Sequence, residues 1–170
     1  MEEPPHGRVD IQVGTLSKAM GALGGYVAGS RTLIEFLYHR ARPFLFSTSH
    51  PPAVTAACLA ALDVLETEPQ WIEQLWDNTR FFKAGLEALG FNTGLSESPI
   101  TPVIVGEAAT AGRMSDTLFA RGVFAQSIGF PTVARDKARL RTIVSATHTK
   151  DDLQYALDTF AAVGRELGVI

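Results

Sequence analysis

Apolar and polar residues alternate from Val9 to Thr15, a pattern that predicts a strand ending in a turn or short loop. A glycine-rich stretch, Gly21-Ala22-Leu23-Gly24-Gly25, leads into Gly25-Tyr26-Val27-Ala28-Gly29, which reads as a buried strand. The period then lengthens. Ser30 can cap a helix running to about Arg40, with Leu33, Phe36 and Leu37 on its apolar face, and Pro43 stops it. Pro51-Pro52 opens the next helix, which reaches about Glu66 and is rich enough in Ala and Leu to be mostly buried. From Pro69 onward Ile72, Leu75, Trp76, Thr79, Phe82, Leu86 and Leu89 recur at helical spacing, and Gly90 is placed as the C-terminal stop.

Beyond Gly90, strands alternate with helices. Ile100 to Val105 reads as a strand, and Pro102, which cannot donate to a ladder, favours an edge or a strand start. A helix over about 111–121 ends at Gly122, and Val123 to Ile128 is again a strand. Arg139 to Ser145 alternates most cleanly. Thr149 caps the last helix with Asp152 as a capping-box partner, and Leu153, Ala156, Leu157, Phe160 and Leu167 form its buried face. Residues 91–170 therefore predict a small open sheet covered on one side by helices. The first half has too few strands for a doubly wound sheet of its own.

Composition narrows the class. With 170 residues, 46% of them hydrophobic and 19% charged, the chain can bury a sizeable core as one domain, or one plus an appendage. A net charge of −3 argues against nucleic acid or an anionic membrane as partner, although a local basic pocket remains open. The single cysteine, Cys58, forms no internal disulfide and reads as a buried inert thiol. No apolar run reaches bilayer length, and the acidic, proline-rich start Met1-Glu2-Glu3-Pro4-Pro5 is unlike a secretion signal. A cytoplasmic soluble protein is the expectation.

Lys18, in Thr15-Leu16-Ser17-Lys18-Ala19 at a strand end, is the first candidate for chemistry. A partly desolvated amine is easier to deprotonate and can bond a carbonyl compound, and the hydroxyls of Thr15 and Ser17 beside glycine amides suit a phosphate. By itself the same segment also reads as a solvated lysine in a loop. Arg139 and Arg141 share one strand face, which without further context is solvent-exposed. Arg135, Lys137, Arg139 and Arg141 can attract phosphates or simply form a solvated edge. His6, His39, His50 and His148 share no ligand spacing, so no metal is expected; His50 suits a turn or core role near the phosphate segment. Trp71 and Trp76 read as packing residues.

Three segments in order, Gly14-Thr15-Leu16-Ser17-Lys18-Ala19, Arg42 to Pro52 with its Phe46-Ser47-Thr48-Ser49-His50-Pro51-Pro52 run, and Ala138-Arg139-Leu140-Arg141-Thr142, resemble the α-oxoamine synthases, fold-type-I pyridoxal-phosphate enzymes. The resemblance runs from about Val9 to Ile170. It implies an α/β fold, the C-terminal half of such a transferase: the end of a large domain with the cofactor lysine (1–60), a connecting helix (61–90) and a small C-terminal α/β domain (91–170). The Arg-Pro-Phe-Leu-Phe-Ser run and the Gly164 to Ile170 ending look most like glycine C-acetyltransferase, with 8-amino-7-oxononanoate synthase as the alternative.

The resemblance implies roles residue by residue. Lys18 would hold pyridoxal 5′-phosphate covalently and move protons at the substrate α-carbon. Thr15 would donate to its phosphate. Ser47, with Thr48 beside it, would reach the phosphate in a neighbouring subunit, making the protein a homodimer with its active site between chains. Arg141 would bind the substrate carboxylate through its planar fork. The substrates implied are a small amino acid and an acyl-CoA. The family's ring-stacking histidine and the carboxylate that pairs with the pyridine nitrogen have no matching positions here. Two classes of function therefore stand: a transferase dependent on a missing half and inactive alone, or a non-catalytic remnant or assembly module.

Overall fold

The computed structural model describes residues 9–170, so the proline-rich start and His6 lie outside it. The chain divides into two compact units, 1–69 and 70–170.

In the first unit, β1 (Ile11–Thr15) and β2 (Gly25–Gly29) pair antiparallel, with Ile11 opposite Gly29 and Thr15 opposite Gly25. Three helices follow, α1 (Arg31–Arg40), α2 (Arg42–Phe46) and α3 (Pro52–Thr67). Ser30 caps α1 as expected, its Oγ accepting from the Leu33 amide at 3.3 Å. Pro43 does not act as a stop. α1 closes at Ala41, whose amide donates to Leu37 O, and Pro43 sits in the first turn of α2, where a missing N–H is harmless.

The expected burial is the larger correction. No residue of α1, α2 or α3 is buried, and Phe36, Leu59, Leu62 and Val64 are exposed. β2 is not buried either, with Tyr26 and Val27 open to solvent. Cys58 is half-buried rather than buried. An apolar stripe shows which face seeks cover, not whether the described residues supply it. Among the described residues of this unit, Ala22 is the one buried apolar side chain.

The second unit closes on itself. It runs α4 (Gln70–Ala88), β3 (Ile100–Gly106), α5 (Ala108–Ala120), β4 (Gln126–Ile128), β5 (Ala138–Ile143) and α6 (Lys150–Glu166). The strands form an antiparallel three-stranded sheet in the order β3-β5-β4, which leaves Pro102 on an edge strand. β4 is shorter than the alternation predicts, because the ladder to β5 begins only at Gln126 opposite Arg141. Along β5, Ala138, Leu140 and Thr142 are buried while Arg139, Arg141 and Ile143 lie on the other face.

The buried face joins Val103, Met114, Leu118 and Phe160 in one core. The Phe160 ring meets Phe82 and Phe91 edge-on, at centroid distances of 6.1 and 5.9 Å. Gly85 has no Cβ, and one placed there would collide with Leu157, so α4 approaches α6 closely. Thr79, Phe82 and Leu86 of the α4 stripe are buried, but Ile72, Trp71 and Trp76 are exposed, so neither tryptophan is a core residue. Gly90 ends the turn after α4 at φ +96°, and Gly122 follows α5 at φ +80°, conformations that suit glycine.

Candidate active site

The β1–β2 hairpin builds a turn around Lys18. Beyond Thr15 the loop is held by backbone bonds: Leu16 N to Gly24 O at 2.9 Å, Ala22 N to Leu16 O at 2.8 Å, and Gly21 N to Lys18 O at 2.9 Å. Gly24, at φ +101°, supplies the left-handed residue that returns the chain to β2. Thr15 Oγ1 and Ser17 Oγ lie 2.8 Å apart, and Thr15 Oγ1 also accepts from the Ser17 amide at 3.2 Å. Both hydroxyls and Lys18 are exposed on the same turn.

The lysines differ in what holds them. Lys83 Nζ donates to Ser96 O at 2.7 Å, and Lys150 Nζ to Asn78 Oδ1 at 2.9 Å, above the Phe81 ring. Lys18 has no such acceptor among the described residues, so its amine is free to be claimed by a ligand.

Ser47 and Thr48 lie just past α2, both exposed. Thr48 adopts φ +51°, uncommon for a β-branched residue, with Oγ1 donating to Ser47 O at 2.7 Å. Ser47 Oγ accepts from the Ser49 amide at 3.3 Å. His50 is neither turn filler nor core. Its ring lies over Gly24, where a Cβ would collide with Nε2, so the Ser47–His50 segment packs directly on the loop that carries Lys18. A cleft of about 660 Å³ opens alongside, lined by Ser47, Ser49, His50, Tyr26 and Tyr38 among others. Lys18, Thr15 and Thr48 are not in its wall.

Arg141 belongs to the second unit. It is exposed on the open face of β5, and its Nη2 donates to Gln126 Oε1 at 2.8 Å. Arg139 on the same face donates through Nε to Lys137 O at 3.0 Å, and Arg135 stacks over Phe130 with 4.5 Å to the ring centroid. The three arginines of 135–141 thus have separate anchors rather than one shared pocket. The structure joins Thr15, Ser17 and Lys18 in one turn and adds His50 at its base. Sequence reasoning missed the packing of His50 on Gly24 and the partner Gln126. Both contacts link residues far apart in the chain, and only the fold exposes them. Among the described residues no group of three His, Cys, Asp or Glu side chains gathers as a metal site.

Comparison with known proteins gives this geometry a context. The chain belongs to the aminotransferase class I and II family, whose model matches residues 1–160. It is 66% identical over 164 residues to an 8-amino-7-oxononanoate synthase of Symbiobacterium thermophilum, and 59% over 164 residues to 8-amino-7-oxononanoate synthase 1 of Bacillus subtilis. In both cases the match takes in 96% of this chain and 42% of the relative, so the chain spans less than half the length of these proteins.

Among solved structures, a serine palmitoyltransferase from S. paucimobilis with bound PLP matches at TM-score 0.88 and 33% identity, over 96% of this chain and 42% of that one. An 8-amino-7-oxononanoate synthase from Francisella tularensis matches at TM-score 0.79 and 28% identity, over 92% and 46%. The α/β fold is that of the fold-type-I transferases over the matched part. These relatives favour the alternative over the glycine C-acetyltransferase branch.

Proposed function

We propose that this chain supplies the cofactor-lysine hairpin and the small domain of a pyridoxal-phosphate-dependent α-oxoamine synthase, with 8-amino-7-oxononanoate synthase as the particular activity. The observation that carries the reading is 66% identity to such a synthase across 96% of the chain. The donor set fits the cofactor. A primary amine and two hydroxyls 2.8 Å apart, exposed on one turn, suit an aldehyde with a phosphate tail.

Bound there, pyridoxal phosphate supplies the electron sink that lets negative charge develop at the amino-acid α-carbon. Lys18 holds the cofactor and afterwards carries a proton to or from that carbon. Thr15 donates to the phosphate. Ser47 and Thr48 serve the phosphate of a second subunit, so the assembly is a homodimer. Arg141 grips the substrate carboxylate through two parallel N–H bonds, a planar match that lysine lacks.

The name of the product indicates the substrates. Its terminal methyl and amine-bearing carbons match alanine without its carboxylate, and the remainder matches a seven-carbon acyl chain ending in a carboxylate. The balance is simple. The α-carbon–carboxylate and thioester C–S bonds break, a C–C bond forms, one proton is taken up from solvent, and carbon dioxide and free thiol leave.

The test is a chimera in which this chain replaces the matching part of the Symbiobacterium thermophilum relative. Turnover of alanine with a seven-carbon dicarboxylic thioester is expected. Preference for glycine with a two-carbon thioester would overturn the assignment in favour of glycine C-acetyltransferase. A folded chimera with neither activity would favour the non-catalytic module.

A further inference from the structure

Arg141 and Gln126 stand directly opposite each other on β5 and β4, and one guanidinium N–H donates to the Gln126 carbonyl oxygen at 2.8 Å. We propose that Gln126 is a positioning residue for the amino-acid substrate: it aims the Arg141 fork while leaving its positive charge uncompensated. The proposal rests on the reading of Arg141 as the carboxylate-binding residue.

The argument is one of geometry and charge. A guanidinium carries five N–H donors in one rigid plane. The Gln126 bond occupies one of them, and donors remain for a bidentate carboxylate. An exposed arginine otherwise samples many rotamers, and holding one beforehand reduces the ordering cost of binding. Because the holder is a neutral amide, the charge that attracts an anion survives. Among the described residues the ion pairs are Arg31–Glu35, Arg80–Asp77 and Arg121–Glu166, and Arg141 is in none of them. Arg139, two positions away on the same face, is tied to a backbone carbonyl instead.

A purely structural cross-strand pair makes the opposite prediction for one substitution. If the bond only stabilised the sheet, Gln126→Glu would preserve or strengthen it, because a charged acceptor bonds arginine more tightly. If Gln126 serves the substrate, Gln126→Glu is the worst replacement, since its carboxylate occupies and neutralises the fork. In the chimera, Gln126→Leu should raise the amino-acid KM about two- to tenfold, the range for ordering one rotamer-rich side chain on binding. Gln126→Glu should raise it more, on the order of tenfold or above. Neither should change the KM for the acyl thioester.

A Glu variant milder than the Leu variant would overturn the proposal. Arg141→Ala distinguishes the two levels. If it leaves the amino-acid KM unchanged, the reading of Arg141 fails and takes Gln126 with it. If it raises that KM while both Gln126 variants behave as wild type, only the positioning role fails. Nitrogen NMR of the arginine side chains in the chimera gives a readout independent of turnover. Rotation of the Arg141 guanidinium should be slow in the wild type and faster in Gln126→Leu. Equal rates in both would overturn the proposal without any assay.

Discussion

Thr101 Oγ1 is a fully buried hydroxyl with no hydrogen-bond partner among the described residues, although Thr101 O accepts from Thr142 Oγ1 at 2.6 Å. A desolvated hydroxyl without a partner is a net loss that valine, of nearly the same shape, avoids. Thr101→Val is therefore expected to stabilise the second unit by about 1 kcal/mol. The check is the urea midpoint, and a lower midpoint would show that the hydroxyl is bonded in solution. Lys18 poses the complementary case of a polar group free at the surface. Reducing the cofactor-loaded chimera with borohydride should fix the cofactor on the Lys18 peptide. Label on Lys83, Lys137 or Lys150 would refute the assignment; Lys83 and Lys150 already have their amines engaged by protein oxygens.

At the scale of elements, the best legible piece is the start of α6. Thr149 Oγ1 accepts from the Asp152 amide at 3.1 Å, and Asp152 Oδ2 accepts from the Thr149 hydroxyl and amide at 2.7 and 2.9 Å. Those bonds, the hydroxyl first and the amide second, hold the Asp152 carboxyl below its ordinary value, with nearby His148 adding to the effect and burial opposing it. Removing the cap by Thr149→Ala should cost about 1 kcal/mol at neutral pH. The sign follows from a depressed folded value. The carboxylate's contribution is full above the unfolded value and is lost as pH falls through the folded one. The gap between wild type and Thr149→Ala should therefore narrow in acid without closing, because the bond from the Asp152 amide to Thr149 Oγ1 does not titrate, and an unchanged gap down through the carboxylate range would contradict this.

The clean alternation of β5 was equally legible, because its inward face finds its cover within the second unit. α1, α3 and β2 were placed correctly along the chain but not in their burial, since period reveals a face and not its cover. In the site, the Lys18 turn could be read from local motif. The contacts of His50 with Gly24 and of Gln126 with Arg141 could not, because each depends on register or packing between distant segments.

At the scale of the whole molecule the two units differ in kind. The second has a continuous core from Phe82 to Val163, although Leu95, Phe119 and Phe124 stay exposed around it. The first leaves Val13 78%, Leu23 70% and Phe46 73% exposed, with apolar helix faces open as well. Apolar surface on that scale is stable in water only when another chain or segment covers it. The 170-residue chain is accordingly expected to self-associate, to bind pyridoxal phosphate weakly and to show no transferase turnover by itself. Hydrogen exchange separates the units further. Amides of β5 and α6 should exchange only on global opening of the second unit, whereas those of β1 and β2, with little buried apolar contact, should exchange through local fluctuations. Residues 70–170 expressed alone should fold with the same protected amides, because the residues of that core all lie between Phe82 and Val163. A monomeric full chain with slow exchange in β1 would overturn this, since it would require the hairpin to be stable without the cover that its exposed side chains demand.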